Sequence, residues 1–252
     1  MCDTCGCGDH EIVSVDVHES LLGANDRRAG HNREHLRADG ILALNLMGSP
    51  GCGKTALLEA TARHWGSERR LAAMSGDLAT DRDAARLRAA GIPSVGITTG
   101  SACHLDARMV HEALHDLPME GLDLLFIENV GNLVCPAIYD LGQEKNVVMV
   151  SVTEGEDKPL KYPVMFRKAD LVIVTKTDLL PALPDFREDL LRENLARVMP
   201  EPRCIALSAR SGEGMDSWLA WLDAARETLA PDAAPGETLA ADAAPGGELR
   251  SA

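Results

Sequence analysis

Residues Gly48-Ser49-Pro50-Gly51-Cys52-Gly53-Lys54-Thr55 fit the pattern G-x-x-x-x-G-K-[ST], and few short patterns restrict a fold so tightly. Glycines at this spacing let successive backbone N–H groups turn inward around a phosphate, and a helix N-terminus behind them adds a favourable field. Lys54 is placed to reach β- and γ-phosphates, and the Thr55 hydroxyl to ligate Mg²⁺. The context agrees with the pattern. Ile41–Met47 reads as a buried parallel strand leading in, and Ala56–Ala62 as the helix leading out. Gly48 through Ala56 is therefore the expected phosphate contact, on an α/β fold with a mostly parallel sheet flanked by helices.

Its 252 residues have room for one such domain with a full core, plus tails. A net charge of −14 argues against a general nucleic-acid binder, because phosphate backbones need a basic face. No run of 18 apolar residues is present, so no membrane span is expected. The N-terminus lacks the order of a secretory signal, which makes a cytoplasmic location the expectation. The seven cysteines then read as thiols or metal ligands rather than disulfides.

Further apolar runs supply the rest of a sheet of about seven strands: Arg70–Ser75, Ser94–Thr99, Leu122–Glu128, Val147–Val152, Leu171–Val174 and Arg203–Leu207. Carboxylates at the ends of such strands face the nucleotide crevice. Asp77 follows one strand and Glu128 closes another, so both are candidates for Mg²⁺ or its water and, with Lys54, for the catalytic set. Glu128-Asn129-Val130-Gly131 places a glycine N–H where it can touch a γ-phosphate, and Asn132 stands where some GTPases carry a water-orienting Gln. Thr175-Lys176-Thr177-Asp178 approximates the Asn-Lys-x-Asp guanine reader, in which the Asp accepts from N1–H and the exocyclic amine. Ser208-Ala209-Arg210 resembles the Ser-Ala-Lys loop that touches guanine through its backbone.

Cys2, Cys5 and Cys7 stand in the order Cys-x-x-Cys-Gly-Cys, close enough to chelate one soft or borderline ion such as Ni²⁺. Cys103-His104 follows a strand and offers half a transition-metal site. His31 and His35 lie four apart, as do His111 and His115; both pairs read as surface histidines. Glu19–Asp39 reads as a solvent-facing helix. Beyond Thr228 a near-repeat of Ala, Pro and acidic residues reads as a flexible tail. Three segments are thus expected: a metal-binding tail (1–18), a GTPase domain with its leading helix (19–229) and an acidic disordered tail (230–252).

Taken together, Cys2–Cys7, the phosphate loop, Gly76-Asp77, Cys103-His104 and the run Glu128–Pro136 resemble the hydrogenase-maturation nickel-insertion GTPases (HypB). The resemblance runs from the N-terminus to about Leu229. It implies a phosphate-loop G domain of the SIMIBI type that hydrolyses GTP to GDP with Mg²⁺. It also implies a GTP-dependent homodimer that works with a companion nickel-maturation protein to deliver Ni²⁺ to the large subunit of [NiFe] hydrogenase. One metal site is implied at the terminal cysteines, and a second, for Ni²⁺ or Zn²⁺, at Cys103, His104 and Cys135. Thr175 departs from the family's Asn, which bears on base selectivity. Competing readings are a urease-type or other metallochaperone GTPase, a small-molecule kinase, and a non-catalytic metal-binding module switched by nucleotide. The terminal Cys-x-x-Cys-Gly-Cys speaks against the first and Asp178 against the second, and turnover of GTP over ATP separates all three.

Overall fold

The computed structural model describes the backbone of residues 9–100 and 102–229, with the side chains of helix α1 (Asp9–Ala38) given from Leu22 onward. After α1 the chain runs through β1 (Leu42–Gly48), α2 (Lys54–Trp65), β2 (Leu71–Asp77), α3 (Arg82–Ala89), β3 (Ser94–Thr98), α4 (Ala107–Leu114) and β4 (Leu124–Glu128). A 3-10 turn at Cys135–Ala137 precedes β5 (Lys145–Ser151), the short helices α5 (Lys158–Lys161) and α6 (Pro163–Arg167), and β6 (Leu171–Thr175). A 3-10 segment at Thr177–Ala182, α7 (Glu188–Val198), β7 (Cys204–Ala206) and α8 (Met215–Glu227) complete the domain. The terminal cysteines Cys2, Cys5 and Cys7 and the acidic tail lie outside the described residues.

All seven strands are parallel, in the order β3-β2-β4-β1-β5-β6-β7, as the strand–loop–helix unit requires. Every expected strand is found, with ends moved by one or two residues. Parallel strands need crossovers, which lay helices on both faces and bury both. In β1, Leu42, Leu44 and Leu46 pack with Leu57, Leu58, Phe126, Trp218 and Leu222 on one side. Ile41 and Ala43 pack on the other with Leu36, Val110, Leu125 and Ile127, while Met47 joins Val148, Val150 and Phe166. The strand order turns at β1, so the crevice at its C-terminal end is the natural ligand position. Leu46 and Ser75 both register with Glu128, which sets that carboxyl beside the phosphate loop.

Helix α1 differs from the expectation in two ways. It begins at Asp9, ahead of the expected start at Glu19. It is also docked rather than solvent-facing, since Ala29, Asn32 and Leu36 are buried. Its polar sequence hid this because the docking is made by hydrogen bonds more than by an apolar stripe. Asn32 Nδ2 donates to the carbonyls of Ala107 (2.8 Å) and Leu141 (3.1 Å), and Asn25 Oδ1 accepts from Ala107 N at 2.9 Å. Arg33 forks onto both oxygens of Asp140 at 2.6 Å, and Arg37 onto Glu144. Gly142 permits the close approach: a Cβ there would lie 2.6 Å from Asn32 Cβ.

Trp218 holds the opposite face. Its ring is fully buried, and Nε1 donates to Thr61 Oγ1 at 2.9 Å, tying α8 to α2. Replacing Trp218 with Ala is expected to lower the unfolding free energy by about 3–5 kcal/mol. Urea unfolding should show a lower midpoint at unchanged slope. A loss well below that range would remove α8 from the cooperative core.

Candidate functional site

β1 ends at Gly48, and the loop after it wraps a cavity of about 530 Å³. Pro50, Gly51, Gly53, Lys54, Thr55 and Ala56 line one wall; Asp77, Asp83, Glu128 and Gly131 line the other. Lys54 Nζ donates to the carbonyls of Gly48 and Ser49, both at 3.3 Å, so its ammonium sits over the loop it serves. Cys52 does not line the cavity: its side chain is buried in the core, and burial pushes its thiol pKa up.

The Thr55 hydroxyl lies 2.9 Å from Glu128 Oε1 and 3.0 Å from Asp83 Oδ1. Glu128 is 4% exposed, and its other oxygen, Oε2, is buried with no hydrogen-bond partner. Burial raises the Glu128 pKa to about 7, against the pull of nearby Lys54. A hydroxyl, an orphaned carboxylate oxygen and a second carboxylate within one small volume match a hard divalent cation with oxygen preference. Asp77 lies on the same cavity, but its carboxylate accepts from Ala79 N (3.2 Å) and Thr80 Oγ1 (2.9 Å). Partial burial opposes ionisation of Asp77, yet these bonds hold its carboxyl below the usual range. Asp83 was not singled out in the sequence; among three nearby aspartates only the start of α3 chooses it.

Beside the loop, Gly53, Lys176, Asp178, Ser208, Ala209 and Arg210 line a second cavity of about 230 Å³. Ser208 Oγ donates to Asp178 Oδ1 at 2.7 Å, which aims the carboxylate. Lys176 lines both cavities and is the one non-glycine residue with left-handed φ (61°) among the described residues, a strain typical of ligand clamps. Thr175 Oγ1 donates to Cys52 O at 2.6 Å, so the residue that departs from Asn ties β6 to the phosphate loop.

Cys103, His104 and Cys135 come together on the far side of Gly131. Their ligand atoms lie within 4.8 Å of one another, the two sulfurs 2.8 Å apart. Two thiols and an imidazole suit a borderline transition-metal ion, with at least one position left for another ligand. The His104 ring stacks on Tyr139, centroids 3.9 Å apart, which fixes its plane; burial lowers its pKa, keeping the lone pair available. Contact with Cys103 raises the Cys135 thiol pKa.

One short segment joins the two centres. Gly131 lies against Pro50 so closely that a Cβ would meet three of its atoms at 2.9 Å. Asn132 N donates to Gly48 O at 3.1 Å, and its side chain reaches Cys103 O (3.4 Å) and Val134 N (2.7 Å). Beneath them runs a buried amide chain: Asn129 donates to Asn45 and accepts from the Leu105 amide, and Asn45 donates to Asn146. Sequence reading missed this chain, since it depends on which asparagines of different strands and loops the fold brings together.

The Glu128 carboxyl has a consequence for pH. Its folded pKa, about 7, exceeds its ordinary value of 4.5, so the folded state holds a proton the unfolded chain has lost. The stability this contributes is full below pH 4.5 and is lost as pH rises towards 7. Without divalent ions, the melting temperature of the parent should fall across that window relative to Glu128→Gln. Parallel curves for the two proteins would show that the proton is not there.

A family model described as CobW/HypB/UreG, nucleotide-binding domain, matches residues 42–205. Hydrogenase maturation factor HypB of Azotobacter chroococcum is 54% identical over 214 residues, covering 84% of this chain and 69% of the relative. The Escherichia coli K12 protein of the same name is 48% identical over 221 residues, covering 88% and 75%. Among solved structures, HypB from Helicobacter pylori in complex with nickel aligns with a TM-score of 0.77 at 40% identity, over 82% of this chain and 97% of that one. The hydrogenase maturation factor HypB of Archaeoglobus fulgidus aligns at 0.74 and 41% identity, over 82% and 100%. With its parallel sheet, phosphate loop and Cys/His cluster in place, the chain belongs to the HypB hydrogenase maturation factors of the CobW/HypB/UreG nucleotide-binding family.

Proposed function

We propose that this chain is a GTP-hydrolysing nickel metallochaperone that assists Ni²⁺ insertion into the large subunit of [NiFe] hydrogenase. The observation that carries this reading is the shared segment 129–135: its start touches the phosphate loop and its end supplies Cys135. In this reading Gly48–Ala56 cradle the phosphates, and Lys54 offsets their charge. Thr55 and Glu128, with Asp83 and Asp77 on the same wall, hold Mg²⁺. The ion, when bound, neutralises charge on the phosphate oxygens. Lys176, Asp178, Ser208 and Ala209 read guanine. Asn132, whose amide is committed to Cys103 and Val134, is not free to orient the attacking water, so turnover is slow.

Cys103, His104 and Cys135 hold Ni²⁺ or Zn²⁺ as cargo, and a second copy of the chain, dimerised around GTP, completes the ligand set. Cys2, Cys5 and Cys7 form the terminal Ni²⁺ site of segment 1–18, with 19–229 as the GTPase domain and 230–252 as an acidic tail. A cytoplasmic location and a companion nickel-maturation protein belong to the same reading. Among the described residues no helix is long and apolar enough to cross a membrane.

Three measurements test it. Lys54→Ala should abolish GTP turnover; normal turnover would sink the assignment. Asp178→Asn should shift preference towards xanthine nucleotides, and equal GTP and ATP affinity in the parent would remove the basis for guanine reading. Ni²⁺ affinity should differ ~10-fold between GDP and a non-hydrolysable GTP analogue, which needs only about 1.4 kcal/mol of coupling. Asn132→Ala should shrink that ratio without removing the ligands. Identical affinities in both nucleotide states of the parent would rule coupling out.

A further inference from the structure

The two histidine pairs that look like separate surface features in the sequence meet in space. His31 and His35 sit on α1, and His111 lies on α4 with His115 just past its end. Ring centroids are 5.2 Å apart for His31–His35, 5.4 Å for His31–His111 and 5.2 Å for His111–His115. Imidazole nitrogens about 2.1 Å from one ion in tetrahedral arrangement put ring centroids on the order of 5 Å apart. Each neighbouring pair along the series His35, His31, His111, His115 therefore has the ring spacing of two ligands on one ion.

We propose that His31, His35, His111 and His115 form a further transition-metal site, all-nitrogen and separate from Cys103, His104 and Cys135 and from the terminal cysteines, for Ni²⁺ or Zn²⁺. A second observation concerns the tautomer. Asn32 is fully buried, and both protons of its amide nitrogen are committed, to the carbonyls of Ala107 and Leu141. Its oxygen is thereby identified, and that oxygen lies 3.0 Å from His111 Nδ1. An amide oxygen only accepts, so Nδ1 carries the proton and Nε2 presents its lone pair. A buried acceptor that fixes the far nitrogen is the usual support of a metal-binding histidine.

The rings now meet edge to face or tilted, at 60°, 51° and 87°, so their nitrogens do not yet converge. His31, His35 and His115 are exposed and turn between rotamers at small cost, while His111, half-buried and bonded to Asn32, is the fixed member. Nitrogen-only ligation suits Ni²⁺, Zn²⁺ or Cu²⁺ and excludes the thiolate character of the other centre. The site spans α1 and α4 and shares no ligand with the cysteine centre.

The test uses the full chain with Cys2, Cys5, Cys7, Cys103 and Cys135 changed to Ser, so failure of the cysteine reading cannot affect it. NiCl₂ or ZnCl₂ is titrated by calorimetry, the melting temperature is followed, and the Ni²⁺ shell is read by X-ray absorption. One ion per chain, a nitrogen and oxygen shell without sulfur, and a raised melting temperature are expected. His35→Ala and His115→Ala, both exposed, should each weaken binding at least ~10-fold while leaving the metal-free melting temperature unchanged. No ion bound by the cysteine-free chain, or an affinity in both histidine variants equal to that of the cysteine-free chain with its histidines intact, would overturn the proposal.

Discussion

The carbonyl oxygen of Gly48 is the point at which the phosphate loop is joined to the segment leading to Cys135. It accepts from Lys54 Nζ at 3.3 Å on the nucleotide side and from Asn132 N at 3.1 Å on the metal side. An oxygen with two lone pairs serves both without conflict. Under the proposed function, a shift of Lys54 towards a phosphate would change what that oxygen feels, and Asn132, bonded to the Cys103 carbonyl, would pass the change on. The packing of Gly131 on Pro50 leaves no slack in this link. Close-packed interiors transmit small displacements because they have no voids to absorb them.

The amide chain within the sheet supplies the rigidity such a link needs. Asn45, Asn129 and Asn146 replace apolar contacts with directional ones at the centre of the sheet, where burying a polar group costs several kcal/mol unless it is bonded. Asn129 spends its oxygen on the amides of Leu105 and Val130, which fixes the loop carrying Cys103 and His104 relative to β4. The sheet is therefore a mount for the two centres as well as a core.

What could be read from residues alone followed a clear division. The seven strands of the parallel sheet were legible as local apolar runs, while the loop 48–55 and residues 176–178 were legible as motifs, and the fold sets residues of each around a cavity. Asp83, Tyr139 and the histidine quartet were not legible, because each depends on which residues the fold brings opposite one another. Thr175 was legible as a departure but not as a function: its hydroxyl bonds the Cys52 carbonyl, a contact that needs only one donor at that place. The docking of α1 was missed for a related reason. Hydrophobic periodicity detects burial of apolar surface, and this helix is held largely by amides and guanidinium groups.

That manner of holding α1 has a consequence for how its position can fail. A helix seated by an apolar stripe can creep along its groove, since methyl groups accept many neighbours at nearly equal energy. A helix keyed by Asn25, Asn32, Arg33 and Arg37 into carbonyls and carboxylates has one seat. Half a turn of slip would break all of these bonds together and leave Asn32 buried beside partners it cannot reach. Its seating is all-or-none, closer to a lock than to a bearing.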